Sequence, residues 1–182
     1  MVVIFLAVLI VLGFIILIAV YNSFVSLKNR VDNAWSQIDV QLKKRHDLVP
    51  NLVETVKGYA AHEKSTFEMV TNARSRVGAA ATPGEQVQAE NQLTQALRGL
   101  LAVAEAYPEL KANQNFLMLQ EELSGIESKI AYARQAYNDT VMTYETRRQS
   151  FPWSLMAGIG GFGRREYLAA EEAEKEVPKV AF

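Results

Sequence analysis

The fold is decided by the stretch VVIFLAVLIVLGFIILIAV, from Val2 to Val20, and by the helical pattern that follows it. Besides Gly13, the stretch contains only Val, Ile, Leu, Phe and Ala. As an α-helix it would cover about 28 Å, close to the hydrocarbon thickness of a bilayer. A cleaved signal peptide would open with basic residues and close on a small-residue cleavage site, and the sequence around Tyr21 fits neither feature. We therefore predict a membrane span over residues 1–21, rather than a signal peptide or a buried core helix, with Tyr21 at the headgroup level.

The charges that flank the span bear on which side of the membrane the rest of the chain faces. Basic residues follow the span closely, whereas no charged side chain precedes it. These residues are Lys28, Arg30, Lys43, Lys44 and Arg45. Because basic flanks tend to stay inside, the pattern favours a cytoplasmic domain, although large domains can be translocated despite their charge. A periplasmic or extracellular domain is therefore the alternative. On its helix, the cluster Lys43-Lys44-Arg45 is expected to form a solvated face.

The residues after Tyr21 have the spacing of a long amphipathic helix. Apolar or small side chains recur at alternating steps of three and four, at Phe24, Leu27, Val31, Ala34, Ile38 and Leu42. Such a stripe predicts a helix near residues 24–49 that packs one face against other helices. A second helix, near residues 51–77, follows the same kind of spacing. Pro50 removes an amide donor and restricts Val49, so it either kinks one helix or separates two, and both outcomes stay open.

Two further helices are predicted in the second half of the chain. The motif Thr82-Pro83-Gly84-Glu85 has the form of a capping box and begins a helix near residues 84–107. Pro108 then either kinks or reverses the chain. The last helix, near residues 116–149, keeps a three-four spacing typical of coiled coils for about 50 Å, in a stripe that includes Ile130, Tyr137 and Tyr144. Four such stripes bury one another most simply as an up-and-down four-helix bundle over residues 22–150, which makes the domain all-α.

Several motifs of this sequence resemble those of the LemA family, and they extend over nearly the whole chain. They are Tyr21-Asn22, the run from Asn29 to Val53, Val56-Lys57-Gly58-Tyr59, Tyr107-Pro108-Glu109-Leu110-Lys111, Asn115-Phe116, Ala133-Arg134, Tyr137-Asn138 and Phe151-Pro152. Two features differ: Glu145 stands where relatives often have Asn, and the lipid-accepting cysteine of some relatives is missing. The resemblance implies an up-and-down four-helix bundle behind an N-terminal anchor, residence in a bacterial membrane, and no particular biochemical activity. One branch of similar proteins belongs to magnetosome membranes, and the lipid-anchored relatives imply an exported domain.

The sequence contains no arrangement that specifies a chemical reaction. Cysteine is absent, and in the two histidine–carboxylate neighbours, His46-Asp47 and His62-Glu63, adjacent side chains on a helix would point about 100° apart. No phosphate-binding loop, dinucleotide fingerprint or Glu-x-x-His metal motif occurs. We therefore predict no enzymatic activity and no catalytic, cofactor or metal site. The net charge of -1 provides no field that would gather nucleic acid, so no nucleic-acid partner is expected.

Residues 151–182 combine an apolar, glycine-rich segment with a charged tail. Pairs of arginines flank aromatic and aliphatic side chains, as in segments that lie at a membrane surface. The candidate residues for docking to a membrane or a partner are Arg147, Arg148, Trp153, Leu155, Met156, Ile159, Phe162, Arg164 and Arg165. The alternative is that the same apolar side chains cover the open end of the bundle or a neighbouring copy. The sequence favours neither.

These features predict a scaffold or assembly protein on a membrane. Its expected partners are the lipid bilayer, further copies of the chain, and membrane proteins that the sequence does not identify. The alternative is a small-molecule sensor or enzyme that uses a polar pocket between helices, which would require a histidine buried beside a carboxylate in a closed cavity. Polar residues interleaved with the stripes would either bridge helices or bind a partner. They are Asp32, Asn33, Asp39, Asn51 and Asn113.

Overall fold

Every regular element in residues 1–168, the part of the chain that the computed structural model describes, is an α-helix. The helices are α1 (Val2–Lys57), α2 (Lys64–Ala79), α3 (Pro83–Glu105), α4 (Pro108–Lys111), α5 (Gln114–Gln149) and α6 (Trp153–Ile159). The predicted all-α class is confirmed for this part of the chain. Most of the charged tail that the sequence places within residues 151–182 lies outside the described residues.

The first helix runs through Pro50 and ends only at Lys57. A proline in a helix interior costs about 3 kcal/mol, because one hydrogen bond is lost and the ring clashes with the preceding turn. Burial of the flanking side chains Leu48, Val49 and Leu52 offsets that cost. The break between the first two helices therefore comes after Lys57, and α2 begins at Lys64, later than the boundary that the proline suggests.

The predicted capping box is present at the start of α3. The hydroxyl of Thr82 accepts a hydrogen bond from the amide of Glu85 at 3.2 Å, and the Glu85 carboxylate accepts from the amide of Thr82 at 3.2 Å. Pro108, where the sequence allows a kink or a reversal, begins the short helix α4. Asn113 then caps α5, because its side-chain oxygen accepts from the amides of Asn115 and Phe116.

The described residues divide into two compact units. Unit 1 comprises residues 1–38 and 132–168, and unit 2 comprises residues 39–131. In unit 2, α2 packs against α3. The buried side chains of unit 2 largely follow the predicted stripes and include Leu42, Leu52, Val56, Val70, Leu93, Leu97, Leu100, Leu110, Phe116, Leu123 and Ile126. Those of unit 1 include Phe24, Leu27, Val31, Tyr137, Val141, Tyr144 and Phe162.

The apolar beginning of α1 packs against nothing in the described chain. Every residue from Val2 to Ala19 is exposed, and burial begins at Val20. By length and composition, α1 is able to cross a membrane. Since the described residues cover no part of this stretch, it is not a core helix of the described chain.

Candidate membrane-docking site

The segment after α6 folds back within unit 1 and places an aromatic ring beside the start of the predicted domain. After α6, Gly161 adopts a φ of 67°, a left-handed conformation that favours glycine. The ring of Phe162 then stacks on Phe24 with centroids 4.8 Å apart, and it meets the edge of Tyr21 at 5.7 Å. Because Tyr21 directly follows the apolar stretch, the beginning of this returning segment lies at the end of the predicted span.

The returning segment, residues 162–168, is held against α5 and is called the strap. Three side chains of α5 bind main-chain groups of the strap. The hydroxyls of Tyr144 and Tyr137 donate to the carbonyls of Gly163 and Glu166 at 2.9 and 3.1 Å. The amide side chain of Asn138 donates to the carbonyl of Leu168 at 3.0 Å and accepts from its N–H at 2.9 Å. The strap therefore runs antiparallel to α5.

A carboxylate completes this set of contacts. Glu145 is buried, and it accepts hydrogen bonds from the main-chain N–H of Arg165 and from the guanidinium of Arg148, both at 2.8 Å. Burial by itself would raise the pKa of Glu145, but these two donors outweigh it and hold the pKa below its usual value. The guanidinium of Arg165 pairs with Asp32 of α1 at 2.8 Å. Glu145 and Asp32 thus fix the middle of the strap.

Helix α6 keeps apolar side chains in solvent. Leu155 and Ile159, one helical turn apart, are 58% and 83% exposed, and the preceding Phe151 is 79% exposed. The ring of Trp153 is half-buried and lies 4.7 Å beneath the guanidinium of Arg147, a cation–π distance. The exposed apolar surface formed by Phe151 and by the α6 residues Leu155 and Ile159 is called the α6 face.

The structure sorts the predicted docking residues into three groups. Arg147, Leu155, Ile159 and Arg164 are exposed, and Trp153 and Met156 are half-buried. Arg148, Phe162 and Arg165 instead contact other residues of unit 1. Sequence reasoning assigned Tyr137 and Tyr144 to the core stripe, which is correct for their rings. It missed that their hydroxyls bind the strap, and the only signal was the presence of Tyr rather than Phe or Leu in the stripe.

A buried ionic cluster in unit 2 contradicts the prediction that Arg45 belongs to a solvated face. Arg45 is 2% exposed, and its guanidinium pairs with Glu90 on α3 and with Glu127 on α5, the latter at 2.7 Å. It also donates to the hydroxyl of Thr94 at 2.9 Å. The reason is position: Ile38, Leu42, Arg45, Val49 and Leu52 follow the same three-four spacing, so Arg45 falls on the buried stripe.

Burial and charge act in opposite directions within this cluster. Burial alone would lower the pKa of Arg45, but the carboxylates of Glu90 and Glu127 raise it above its usual value. Burial raises the pKa of Glu90, and the attraction of Arg45 offsets only part of that effect. The arrangement keeps the guanidinium charged and compensated by carboxylates, as a buried cation requires.

The polar residues interleaved with the stripes have separate roles. Asp39 accepts from Gln86 at 3.0 Å, Asn113 donates to the hydroxyl of Tyr59 at 2.9 Å, and Asp32 pairs with Arg165, so these three bridge separate segments. Asn33 and Asn51 are exposed.

Neither histidine lies buried against a carboxylate in a closed cavity. His62 is exposed, and the half-buried His46 has Asp47 at 3.6 Å. Within residues 1–168, no group of three His, Cys, Asp or Glu could hold a metal ion.

Comparison with known proteins identifies the family of the chain. The model of the LemA family matches residues 34–182. The chain is 28% identical to magnetosome protein MamQ 2 of Paramagnetospirillum magneticum over 179 residues, covering 84% of this chain and 66% of that protein. It is 26% identical to magnetosome protein MamQ of Magnetospirillum gryphiswaldense, with the same coverage. It is also 26% identical to the protein LemA of Metamycoplasma hominis, over 71% of this chain and 60% of that protein. The chain thus spans slightly less than two thirds of the length of these relatives. Since the family model matches most of its sequence, the chain belongs to the LemA family.

Proposed function

We propose that the chain is a single-pass, membrane-anchored helical scaffold that rests its α6 face on the same bilayer that α1 crosses. The observation that carries this proposal is the contact of Phe162 with Tyr21 and Phe24. Because Tyr21 follows the apolar stretch directly, a span over residues 1–21 would bring the end of α6 to the membrane surface. There the exposed side chains of Phe151, Leu155 and Ile159 would enter the interface rather than water.

The energetics favour such docking. Full burial of a large apolar side chain contributes about 1.5–3 kcal/mol, and the α6 face has three such side chains exposed. Arg164 is exposed nearby in the sequence, and a basic side chain at an anionic membrane surface contributes about 1 kcal/mol. Docking of this size would orient a domain that the span already holds at the membrane.

The four-helix bundle predicted for residues 22–150 is part of the proposal. Support comes from unit 2, where Arg45 of α1 contacts both α3 and α5, and Arg74 of α2 donates to the main-chain carbonyl of His46 on α1 at 3.1 Å. These contacts join α1, α2, α3 and α5. The connections between consecutive long helices are short, which is typical of up-and-down topology.

The biological setting is proposed from the relatives and the charges. Likeness to proteins named for the magnetosome supports a role in organising a bacterial membrane rather than in catalysis. We expect the domain on the cytoplasmic side because basic residues follow the span, with the exported orientation as the alternative. Further copies of the chain and other membrane proteins are the expected partners, and no nucleic acid is expected among them.

Flotation with liposomes tests the docking. The chain from Tyr21 to Phe182 lacks the apolar stretch but keeps every buried side chain of the described residues except Val20, because residues 2–19 are exposed. We expect it to float with anionic liposomes at low salt, and the double variant Leu155→Ser, Ile159→Ser to float far less. A matched control, Leu117→Ser with Met118→Ser, also removes two exposed apolar side chains but should float like the wild type. If the wild-type fragment stays wholly in the soluble fraction, the α6 face does not dock on lipid.

A further inference from the structure

The strap is bound within unit 1 as a peptide would be bound by a separate protein. Five of its main-chain groups are paired with side chains of α5: the carbonyls of Gly163, Glu166 and Leu168, and the N–H groups of Arg165 and Leu168. The side chains that bind them, together with Asp32, Tyr21 and Phe24, are called the strap site. Since the contacts are mostly to main-chain atoms, they place few demands on the strap's sequence.

Two side chains of the strap supply the specificity. Phe162 is 9% exposed against Phe24 and Tyr21, and Arg165, three residues later, pairs with Asp32. A competing ligand would therefore need an aromatic residue followed three positions later by an arginine. Every further copy of this chain carries the same pattern, because its sequence is identical.

We propose that the strap of one copy binds the strap site of a second copy, so that strap exchange joins copies of this protein. The contacts made by the strap are the same whether it comes from its own chain or from another, which makes such exchange a low-cost route to oligomers. The ratio of exchanged straps to straps bound within their own chain then depends on the length of the tether and on the local concentration of copies. The proposal rests on membrane anchoring, which confines copies to one surface, and it names the interface of the expected homo-oligomer.

The tether permits the exchange. Twelve residues separate the end of α5 at Gln149 from Phe162, and they include Gly158, Gly160 and Gly161. The tether contains the helix α6, whose seven residues cover about 10 Å. With its five other residues extended, the tether would reach about 27 Å while α6 stays folded. A strap that leaves its own site can therefore reach a neighbour without unfolding α5.

Cysteine cross-linking in membranes tests the exchange. Because the chain has no native cysteine, only the introduced cysteines can react. The side chain of Asn138 binds the main chain of Leu168, so a short bis-maleimide should link cysteines placed at these two neighbouring positions. Full-length chains carrying Asn138→Cys and Leu168→Cys singly, with different tags, are co-expressed and treated with the bis-maleimide in native membranes. We expect a mixed dimer several-fold above a control pair of Tyr132→Cys and Leu168→Cys, because Tyr132 is exposed and lies about 9 Å along α5 from Asn138.

Two further variants distinguish a strap bound within one chain from a strap exchanged between chains. Adding Phe162→Ser to the Leu168→Cys chain removes an anchor of the strap and should reduce the mixed dimer. The double variant Asn138→Cys, Leu168→Cys reports the strap bound within one chain. If that variant forms only an internal cross-link and the mixed dimer does not exceed the control, exchange does not occur. If no cross-link forms in either experiment, the strap does not occupy its site and the proposal also fails. Resistance of the chain to carbonate extraction, measured on the same membranes, reports anchoring separately.

Discussion

At the scale of single residues, Arg45 shows where sequence reasoning stops. Its chemistry favours solvent, and its neighbours Lys43 and Lys44 are indeed exposed. Its position on the three-four stripe favours burial, and position prevails because Glu90 and Glu127 compensate its charge. The stripe itself could be predicted from local spacing. The partners could not, because they lie 45 and 82 residues further along the chain.

Removing the charge of Arg45 should destabilise unit 2 strongly. Arg45→Met would leave Glu90 buried without its counter-charge, and breaking a buried pair in this way costs about 3–5 kcal/mol. Replacing both partners, as Arg45→Met with Glu90→Leu, should recover most of that loss, since a well-packed apolar pair can substitute for ions. Urea unfolding of the chain from Tyr21 to Phe182 measures the free energies. Lys44→Met, at the exposed neighbouring position, is the control. If Lys44→Met and Arg45→Met lower the free energy of unfolding equally, the buried ionic cluster does not stabilise the fold.

Glu145 should make the stability of unit 1 depend on pH. Its pKa is lowered in the folded chain because the Arg165 amide and the Arg148 guanidinium bind the carboxylate more strongly than burial penalises it. Its contribution is therefore present above the usual glutamate pKa and is lost as the pH falls through the lower, folded value. We expect wild type and Glu145→Gln to differ most in urea midpoint above about pH 5, and to converge in more acidic solution. The exposed Glu166→Gln serves as the control, and a Glu145→Gln difference that is constant from neutral to acidic pH would contradict the assignment.

At the scale of elements, the clearest difference between sequence and structure is at Pro50. Local rules allow a kink or a break there, and the structure keeps one helix because side chains on both sides of the proline are buried. Such burial depends on tertiary neighbours, so the sequence alone leaves both outcomes open. The capping box at Thr82 depends on local chemistry and is present, and the three-four spacing of α5 brings Phe116, Leu123, Ile126, Ile130, Tyr137 and Tyr144 to buried positions.

A proline inside a continuous helix has a thermodynamic signature. Pro50→Ala restores an amide donor and removes the ring clash, so it should stabilise the chain by about 1–3 kcal/mol. If α1 instead ended at Val49 and a new helix started at Pro50, the proline would be favourable in its first turn and the substitution would destabilise. Thermal unfolding of the chain from Tyr21 to Phe182 distinguishes these outcomes. Asn51→Ala, at the exposed adjacent position, controls for the change in helix propensity.

The returning strap could not be predicted from periodicity. The sequence from 151 to 168 is too irregular for a repeat, and two of its binding partners on α5, Tyr137 and Tyr144, are residues that the spacing assigns to the core. The apolar character of the segment was visible and suggested an interface. Which of its side chains face the protein and which face outward depends on the left-handed turn at Gly161 and on the stacking of Phe162.

At the scale of the whole molecule, the family of the chain is established and its role is proposed. Membership of the LemA family, the all-α class and a first helix able to cross a membrane agree with what the sequence predicts. The scaffold role, the side of the membrane and the partners are proposals, because no residue pattern in the chain specifies them. The physical basis of the docking proposal is the α6 face, which leaves apolar side chains exposed within the same unit that contains the apolar stretch.

The contact of the α6 face with lipid is measured most directly by spin labelling of the full-length chain in bilayer nanodiscs. A nitroxide at Ile159→Cys reports the local solvent, because oxygen concentrates in lipid whereas a polar nickel complex concentrates in water. Tyr132→Cys, also exposed in unit 1 but about 18 Å along α5 from Tyr144, provides the control. The account predicts that the label at 159 collides mainly with oxygen and the label at 132 mainly with the nickel complex. If both labels prefer the nickel complex equally, the α6 face stays in water and the proposed docking is wrong.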